Sequence, residues 1–307
     1  MQDRYAGDIG DFGKFGLLKE LSHQGLSIGV NWYKTLPLKS EKKADGTFKQ
    51  DDGRHKDYLS LAECDMPLAV TLTQIAAGNN RSIQALEEAS LLSNVVYYDE
   101  LVSTTDRTAW HNNALEFFKN HSVDLVFLDP DNGLLVPSVN KSSPRNVKYA
   151  FYDEVMDYIE QGQSVLVYNH RSRKPEYQYF LELESRIQEE FSRRDLTNRP
   201  GILEITFPRF SVRDYFAISI DPDHLQKIRD AFTAMFSSKW AEKICQKPLT
   251  MDISYTEYKS RFLSAKEFKR HYQSLPEQVV RGMIDREKSN TTVKACMYDG
   301  WKITKTK

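Results

Sequence analysis

The chain has few cysteines. Its 307 residues include three of them, Cys64, Cys245 and Cys296, and no two form a Cys-x-x-Cys pair. Cysteines so far apart argue against a disulfide framework and against a cysteine-based zinc site, and they are typical of a protein in a reducing compartment. We therefore expect a cytoplasmic protein.

Long apolar runs are also lacking. No stretch is long and apolar enough to span a bilayer, and the opening residues MQDRYAGDIGDFGKFG have no apolar segment of the signal-peptide type. The sequence has no Walker P-loop, no dinucleotide fingerprint after a strand and no Gly-x-Ser-x-Gly elbow. We expect no membrane partner, and the common phosphate-loop and serine-hydrolase classes are excluded.

Excess charge of one sign is absent overall, but the charge is unevenly distributed. The net charge is -1, so the molecule as a whole is not a cationic nucleic-acid binder. Residues 248–307 carry 12 Lys and Arg against 7 Asp and Glu, a net of +5, and the remainder carries 30 against 36, a net of -6. A basic C-terminal segment on an acidic body indicates a polyanionic partner for that segment, although a solvated helical face explains it equally well.

Hydrophobic periodicity predicts alternating helices and strands. The predicted helices cover residues 11–24, 68–77, 83–92, 107–120, 152–160, 175–194 and 223–237, with two more at 265–272 and 277–286. The predicted strands cover residues 27–34, 94–98, 124–128, 164–168, 202–207 and 215–220. The pattern predicts an α/β fold with a doubly wound, Rossmann-like, mostly parallel sheet over residues 1–240 and an antiparallel pair at its edge. Residues 248–307 form a small basic helical appendage.

The strongest candidate site follows the apolar strand Asp124–Leu128. Asp129, Asp131 and Asn132 lie in the turn DPDNG, at the strand end where α/β sheets bind ligands. Carboxylates there can hold a divalent metal, orient an amine or act as a general base. The same residues also suit a plain turn, in which the carboxylates would be exposed and their removal would cost little stability.

A second polar cluster, NHRSRK, follows the apolar strand SVLVY. If the two strands are parallel neighbours, His170 lies near Asp129, where histidine suits acid–base work or metal ligation. Three cations next to it, Arg171, Arg173 and Lys174, suit contacts to phosphate. A solvated basic loop is the alternative interpretation.

Two weaker signals come from loops. Asp52, Arg54 and His55 lie in the polar loop after the first strand and have the residue types of a phosphate or metal site. In the opening stretch YAGDIGDFGKFG, glycines permit close backbone approach and a helix start offers free N–H groups to an anion. Candidate cofactor-binding residues there are Asp8, Asp11 and Lys14, to which Asn31 at the end of the first strand is added. Simple packing at a helix start is the alternative.

Together, YAGDIGDFGKFGLL, NWY, DGRH and LDPDNG resemble a set of poorly characterised bacterial proteins. More distantly, residues 5–235 resemble the bacterial 23S ribosomal RNA adenine-N6 methyltransferase family, which has an Asp-Pro-Pro-Tyr motif after a central strand. The resemblance implies a methyltransferase-like sheet and S-adenosylmethionine as cofactor. It also implies that Asp129 accepts a hydrogen bond from an exocyclic amine, whereas Asn132 occupies the position of the family's base-stacking aromatic residue.

Three hypotheses follow. The first is an S-adenosylmethionine-dependent methyltransferase acting on nucleic acid, in which Asp129 orients the acceptor and Asn132 and His170 line the pocket. The second is a Mg²⁺-dependent nuclease or phosphohydrolase on the same scaffold, with Asp129, Asp131 and Asp52 as metal ligands. The third is a non-catalytic binding or adaptor protein that shares the fold.

Overall fold

A computed structural model describes residues 1–47, 56, 58–78, 80–171, 176–194, 196, 200–209, 211–246, 251–253, 293–297 and 301–305. Its α-helices are α1 (Ile9–His23), α2 (Met66–Ala77), α3 (Ile83–Glu88), α4 (Arg107–Asn120), α5 (Tyr152–Glu160), α6 (Glu176–Arg193) and α7 (Pro222–Phe236). Its first six strands are β1 (Ile28–Asn31), β2 (Val95–Tyr98), β3 (Leu125–Leu128), β4 (Gly133–Leu134), β5 (Tyr149–Ala150) and β6 (Ser164–His170). The others are β7 (Gly201–Arg209), β8 (Ser211–Ser219), β9 (Cys245–Gln246), β10 (Met251–Ile253), β11 (Val293–Met297) and β12 (Trp301–Lys305). The α/β class predicted from the sequence is confirmed.

The main sheet has seven strands in the order β2-β1-β3-β6-β8-β7-β9. The first four are parallel, and β8, β7 and β9 add antiparallel pairs on one side. Two smaller sheets pair β4 with β5 and join β10, β11 and β12. Strand order reverses at β1, because β2 lies on one side of it and β3 on the other.

Side chains alternate between two hydrophobic cores, one on each face of the sheet. In β3, Leu125 and Phe127 belong to the core with α1, α2, α3 and α7, whereas Val126 and Leu128 belong to the core with α4, α5 and α6. All four are fully buried, as expected of a central parallel strand covered by helices on both faces. None of the helices in the described part of the chain is both long and apolar enough to cross a membrane.

Helix α1 begins at an N-cap and packs unusually close to its neighbours. The Asp8 carboxylate accepts hydrogen bonds from Gly10 N at 2.7 Å and Asp11 N at 3.1 Å. Gly10, Gly13 and Gly16 form a row along one face of the helix. Side chains from β8, β7 and the 3-10 helix Lys239–Glu242 leave no room there for a Cβ. A Cβ at Gly13 would lie 2.6 Å from the Phe207 ring, and one at Gly16 would lie 2.4 Å from the Trp240 ring. The glycine-rich stretch is therefore explained by helix packing.

Two strand predictions were wrong at their ends. β6 continues through Asn169 and His170, which we had placed in a loop, because these residues pair with Asp214 and Arg213 of β8. The segment PRFSVRD, predicted as a connection, mostly belongs to the long β7–β8 hairpin, in which Arg209 pairs with Ser211. The two helices predicted at 265–272 and 277–286 lie outside the described residues. The described residues of segment 248–307 form strands β10, β11 and β12, which differs from the helical appendage that we expected.

Candidate functional site

The candidate site lies at the carboxyl ends of β1, β3 and β6, next to the start of α1. Asp129 directly follows β3, and its backbone N–H donates to the carbonyl of Asn31 at the end of β1 at 3.0 Å. Register places Leu128 opposite Val167, so Asp129 is level with Tyr168 of β6. This is the edge at which strand order reverses, where α/β sheets bind their ligands.

Asp129 is 3% exposed, not an exposed turn carboxylate as the sequence suggested. Its Oδ2 accepts a hydrogen bond from Lys14 Nζ at 2.7 Å, and the same ammonium donates to Asp11 Oδ1 at 2.7 Å. Burial raises the pKa of Asp129, and the Lys14 ammonium opposes that shift without cancelling it. The expectation of an exposed carboxylate was wrong, and removal of Asp129 would leave Lys14 with one partner fewer in a buried environment.

Lys14 joins helix α1 to the end of β3. Burial alone would lower its pKa, but the charges of Asp11 and Asp129 outweigh burial and raise the pKa well above its usual value. Asp11 also accepts from Gly7 N at 2.7 Å. Asp11 and Lys14, which the sequence offered as cofactor-binding residues, thus lie beside Asp129 and are engaged with each other.

Asp8 lies at the outer side of the same group. Burial and the neighbouring charge of Asp11 raise its pKa to about 6, and Arg213 Nη2, 3.8 Å from Asp8 Oδ2, acts in the opposite direction. Arg213 reaches α1 from β8 and is 8% exposed. A Cβ at Gly10 would lie 2.6 Å from Arg213 Nε, so this glycine makes room for the guanidinium.

Two tyrosines complete the group, which we call the Asp129 chamber: Asp8, Asp11, Lys14, Asp129, Tyr168, Arg213 and Tyr215. Tyr215 of β8 is 2% exposed, and its hydroxyl has no hydrogen-bond partner among the described residues. Burial raises its pKa, and Lys14 and Arg213 are the charged groups that act most strongly on it. A buried hydroxyl without a partner is uncommon and indicates a place for a water or a ligand atom.

The acidic side chains of the chamber are matched by cations. Three acidic side chains face two basic ones, and the Met1 ammonium, which donates to the Asp129 carbonyl at 3.0 Å and acts to lower the pKa of Asp129, adds a third positive charge. Among the described residues, the polar atoms left to contact a ligand are Asp129 Oδ1 and the Tyr215 hydroxyl, which suits a ligand that donates hydrogen bonds. Sequence reasoning missed Arg213 because it lies in the segment PRFSVRD, which was interpreted as a connection, and it placed Tyr215 in a strand without assigning it to the site. The alternation of Arg213, Tyr215 and Ala217 on one face is the signal that could have found both.

Asp131 points to different partners from Asp129. Its Oδ2 lies 3.2 Å from Lys148 Nζ and accepts from Gln2 Nε2 at 2.7 Å, and its Oδ1 lies 3.0 Å from the Met1 ammonium. Burial acts to raise the pKa of Asp131, but the ammonium and Lys148 outweigh it and hold the pKa below its ordinary value. The two carboxylates of the DPDNG turn are therefore neutralised separately.

The rest of the turn is built into the structure. Asn132 N donates to Lys148 O at 3.0 Å, and Leu134 N donates to Asn169 Oδ1 at 2.7 Å. Gly133 has a φ of 97°, and a Cβ there would lie 2.0 Å from Asn169 Oδ1. Glycine is thus required by both conformation and space.

The remaining predicted residues are dispersed. His170 is exposed at the end of β6, level with Arg213 and two residues beyond Tyr168. Asn31 is buried, where its amide donates to Tyr158 OH at 3.2 Å and accepts from Tyr33 N at 3.1 Å. Arg171, expected to meet phosphate, is bound to Asp214 on the other face of the sheet. The predicted residues Asp52, Arg54, His55, Arg173 and Lys174 lie outside the described residues.

The chamber does not resemble a divalent-cation site. Within the part of the chain that the structure describes, no group of three or more His, Cys, Asp or Glu side chains is placed to hold a metal ion. The ammonium of Lys14 occupies the position next to Asp129 that a cation would take. These contacts weigh against the predicted metal set of Asp129 and Asp131.

Comparison with known proteins gives little further information. No protein-family model matches the chain. No curated protein matches it. Among solved structures it is similar to protein LPL1258 from Legionella pneumophila str. Philadelphia 1, which has the family model DUF519. The two are 12% identical, the match covers 79% of this chain and 95% of the other, and the TM-score is 0.39. A likeness of this degree carries no argument about function.

Proposed function

We propose that the chain is an S-adenosylmethionine-dependent methyltransferase that acts on an amine of a nucleic-acid base. The observation that carries the proposal is the Asp129 chamber itself. A buried carboxylate lies at the strand end where order reverses, beside a buried hydroxyl that has no partner among the described residues. The strand order, four parallel strands followed by an antiparallel hairpin, is compatible with the methyltransferase-like, doubly wound sheet that the sequence motifs suggest.

The chemistry of the lining supports this class of ligand. When bound, S-adenosylmethionine would supply a methyl group from a positively charged sulfonium. The carboxyl groups of Asp8, Asp11 and Asp129 are the acidic groups that would face that charge. The hydroxyl of Tyr215, which has no hydrogen-bond partner among the described residues, is a further polar atom available to such a ligand.

We assign to Asp129 the role of holding the amine that accepts the methyl group. Its Oδ2 is bound to Lys14, and Oδ1 remains to accept a hydrogen bond from an exocyclic amine. Lys14 and Asp11 fix the carboxylate against α1, so the amine would be oriented by a rigid group. Nucleic acid as the acceptor rests on the resemblance of the motifs and on the +5 charge of residues 248–307.

The alternative of a Mg²⁺-dependent nuclease gains no support from these contacts. Both carboxylates of the turn are already neutralised by protein cations, and they face different partners. A hydrolase would need at least one of these ion pairs to open before a metal could bind.

The test is transfer of a radiolabelled methyl group from S-adenosylmethionine to total RNA and, separately, to genomic DNA. The Asp129→Asn variant is compared with Asp124→Asn, which changes the same residue type at the opposite end of β3, where the side chain is 36% exposed. We expect transfer by the wild type and by Asp124→Asn, and loss of transfer in Asp129→Asn. Thermal melts of all three proteins exclude unfolding as the cause. Equal transfer by Asp129→Asn and wild type would contradict the proposal.

A further inference from the structure

A second polar cluster is buried on the other face of the sheet. We call it the Glu204 cluster: Glu204 and Thr206 of β7, Asp214 of β8 and Arg171 at the end of β6. Glu204 and Asp214 are both 0% exposed, and Thr206 is 2% exposed. Among the described residues, Arg171 is the cation next to both of these fully buried carboxyl groups, and an unpaired buried charge is costly.

Arg171 is committed to Asp214. Its Nε donates to Asp214 Oδ2 at 2.9 Å, and its Nη2 donates to Asp214 Oδ1, which gives a bidentate pair. The distance from Arg171 Nη2 to Glu204 Oε1 is 3.8 Å, too long for a hydrogen bond. The other oxygen, Glu204 Oε2, has no hydrogen-bond partner among the described residues.

The hydroxyl of Thr206 shows which carboxyl group must hold a proton. Its oxygen lies 3.0 Å from Arg171 Nη2, 2.7 Å from Asp214 Oδ1 and 3.0 Å from Glu204 Oε1. A hydroxyl has one proton to donate, so it can donate to one of the two carboxyl groups. The other contact is a hydrogen bond only if that carboxyl group donates to the hydroxyl. Asp214 accepts two hydrogen bonds from the guanidinium and Glu204 accepts none from it, so we assign the donor to Glu204.

We propose that Glu204 and Asp214 form a pH-sensitive device, in which Glu204 is a neutral acid at neutral pH and Asp214 is the carboxyl group that holds Arg171. Loss of the Glu204 proton places two buried carboxylates in competition for one guanidinium. Arg171 directly follows β6, the strand that carries Asn169 and His170 to the edge of the sheet. The device therefore links pH to the position of the end of β6, independently of the function proposed above.

The groups around Glu204 agree with this assignment. Burial, followed by the charge of Asp214, raises the pKa of Glu204 well above its ordinary value, while Arg171 opposes the shift. From α6, Tyr179 faces the cluster and accepts a hydrogen bond from Asn169 Nδ2. Burial and the nearby Asp214 raise the pKa of Tyr179, so it stays neutral and adds no charge.

The first experiment compares two isosteric variants of the full chain, Glu204→Gln and Asp214→Asn, by thermal melting from pH 5 to pH 9. Glutamine imitates the protonated acid, so Glu204→Gln should melt close to the wild type at pH 5. The folded wild type holds a proton that the unfolded chain releases. Its unfolding equilibrium constant should therefore rise relative to that of Glu204→Gln by up to about tenfold per pH unit above the unfolded-state pKa. Asp214→Asn should be destabilised at every pH. The reverse pattern, with Asp214→Asn tolerated and Glu204→Gln damaged, would overturn the assignment.

The second experiment detects the proton directly and does not depend on stability. Infrared difference spectra of wild type minus Glu204→Gln at pH 7 should contain the carbonyl band of a protonated carboxylic acid. The control, wild type minus Glu87→Gln, removes a half-buried glutamate that accepts a hydrogen bond from Trp32 Nε1. We expect the band to disappear with rising pH in step with a change in the Arg171 Nε–H nuclear magnetic resonance signal. A spectrum without that band at pH 7 would overturn the proposal.

Discussion

Replacement of Lys14 by methionine tests whether the ion pairs of the Asp129 chamber hold the fold together. Lys14 Nζ lies 2.7 Å from both Asp11 Oδ1 and Asp129 Oδ2, and the three side chains are 5%, 1% and 4% exposed. Removal of one member of a buried ion pair costs about 3–5 kcal/mol, because the partner stays buried and unpaired. Since Lys14 serves two carboxylates, we expect the free energy of unfolding to fall by about 5 kcal/mol.

Lys141 provides a matched control for this variant. Its Nζ lies at the same distance, 2.7 Å, from Asp153 Oδ2, but the two side chains are 52% and 46% exposed. Exposed pairs of this kind contribute about 0–1 kcal/mol, so Lys141→Met should unfold almost as the wild type does. The assay is urea unfolding of the full chain at pH 7, followed by tryptophan fluorescence and by circular dichroism.

A double variant identifies the cause of the loss. If the damage in Lys14→Met comes from unpaired carboxylates, the additional change Asp129→Asn should restore part of the stability. A loss in Lys14→Met no larger than that in Lys141→Met, or the absence of any rescue, would refute our account of the chamber.

Three further changes have definite expected results. Gly13→Ala should lower the free energy of unfolding by about 1–3 kcal/mol, because its Cβ would lie 2.6 Å from a packed aromatic ring; urea unfolding measures this. Asp8→Asn keeps a good N-cap. Because the pKa of Asp8 is raised to about 6 in the folded state, the wild type should lose stability relative to this variant as pH rises from the ordinary carboxyl pKa to about 6, which thermal melts would detect. Charge reversal of Lys266, Lys269 and Arg270 should flatten the slope of the logarithm of nucleic-acid affinity against the logarithm of salt concentration. An unchanged slope would show that these residues of the C-terminal segment do not contact the nucleic acid.

The sequence predicted most of the helices and strands because their signals are local. Helix α4 and helix α5 begin and end at the predicted residues 107–120 and 152–160. Asp106 accepts a hydrogen bond from Ala109 N at the start of α4, a local cap that the sequence displays. The apolar run before Asp129 likewise placed that residue at the correct edge of the sheet.

Features that depend on distant contacts could not be predicted in the same way. The glycines of α1 suggested an anion site, yet their partners Phe207 and Trp240 are some two hundred residues away in the chain. Arg171 suggested a phosphate contact, but β8 places Asp214 against it. The burial of Asp129 depends on Lys14, whose pairing across 115 residues no local pattern reveals.

The most direct test of the proposed function is calorimetric titration of the full chain with S-adenosylmethionine and, in a separate experiment, with Mg²⁺. The Tyr215→Phe variant serves as the probe of the site. It removes a hydroxyl that has no partner among the described residues, so it should leave the melting temperature unchanged. We expect the wild type to bind S-adenosylmethionine, the variant to bind it more weakly, and neither to bind Mg²⁺ at the chamber. Binding of Mg²⁺ that is lost in Asp129→Asn, with no heat from S-adenosylmethionine, would contradict the account.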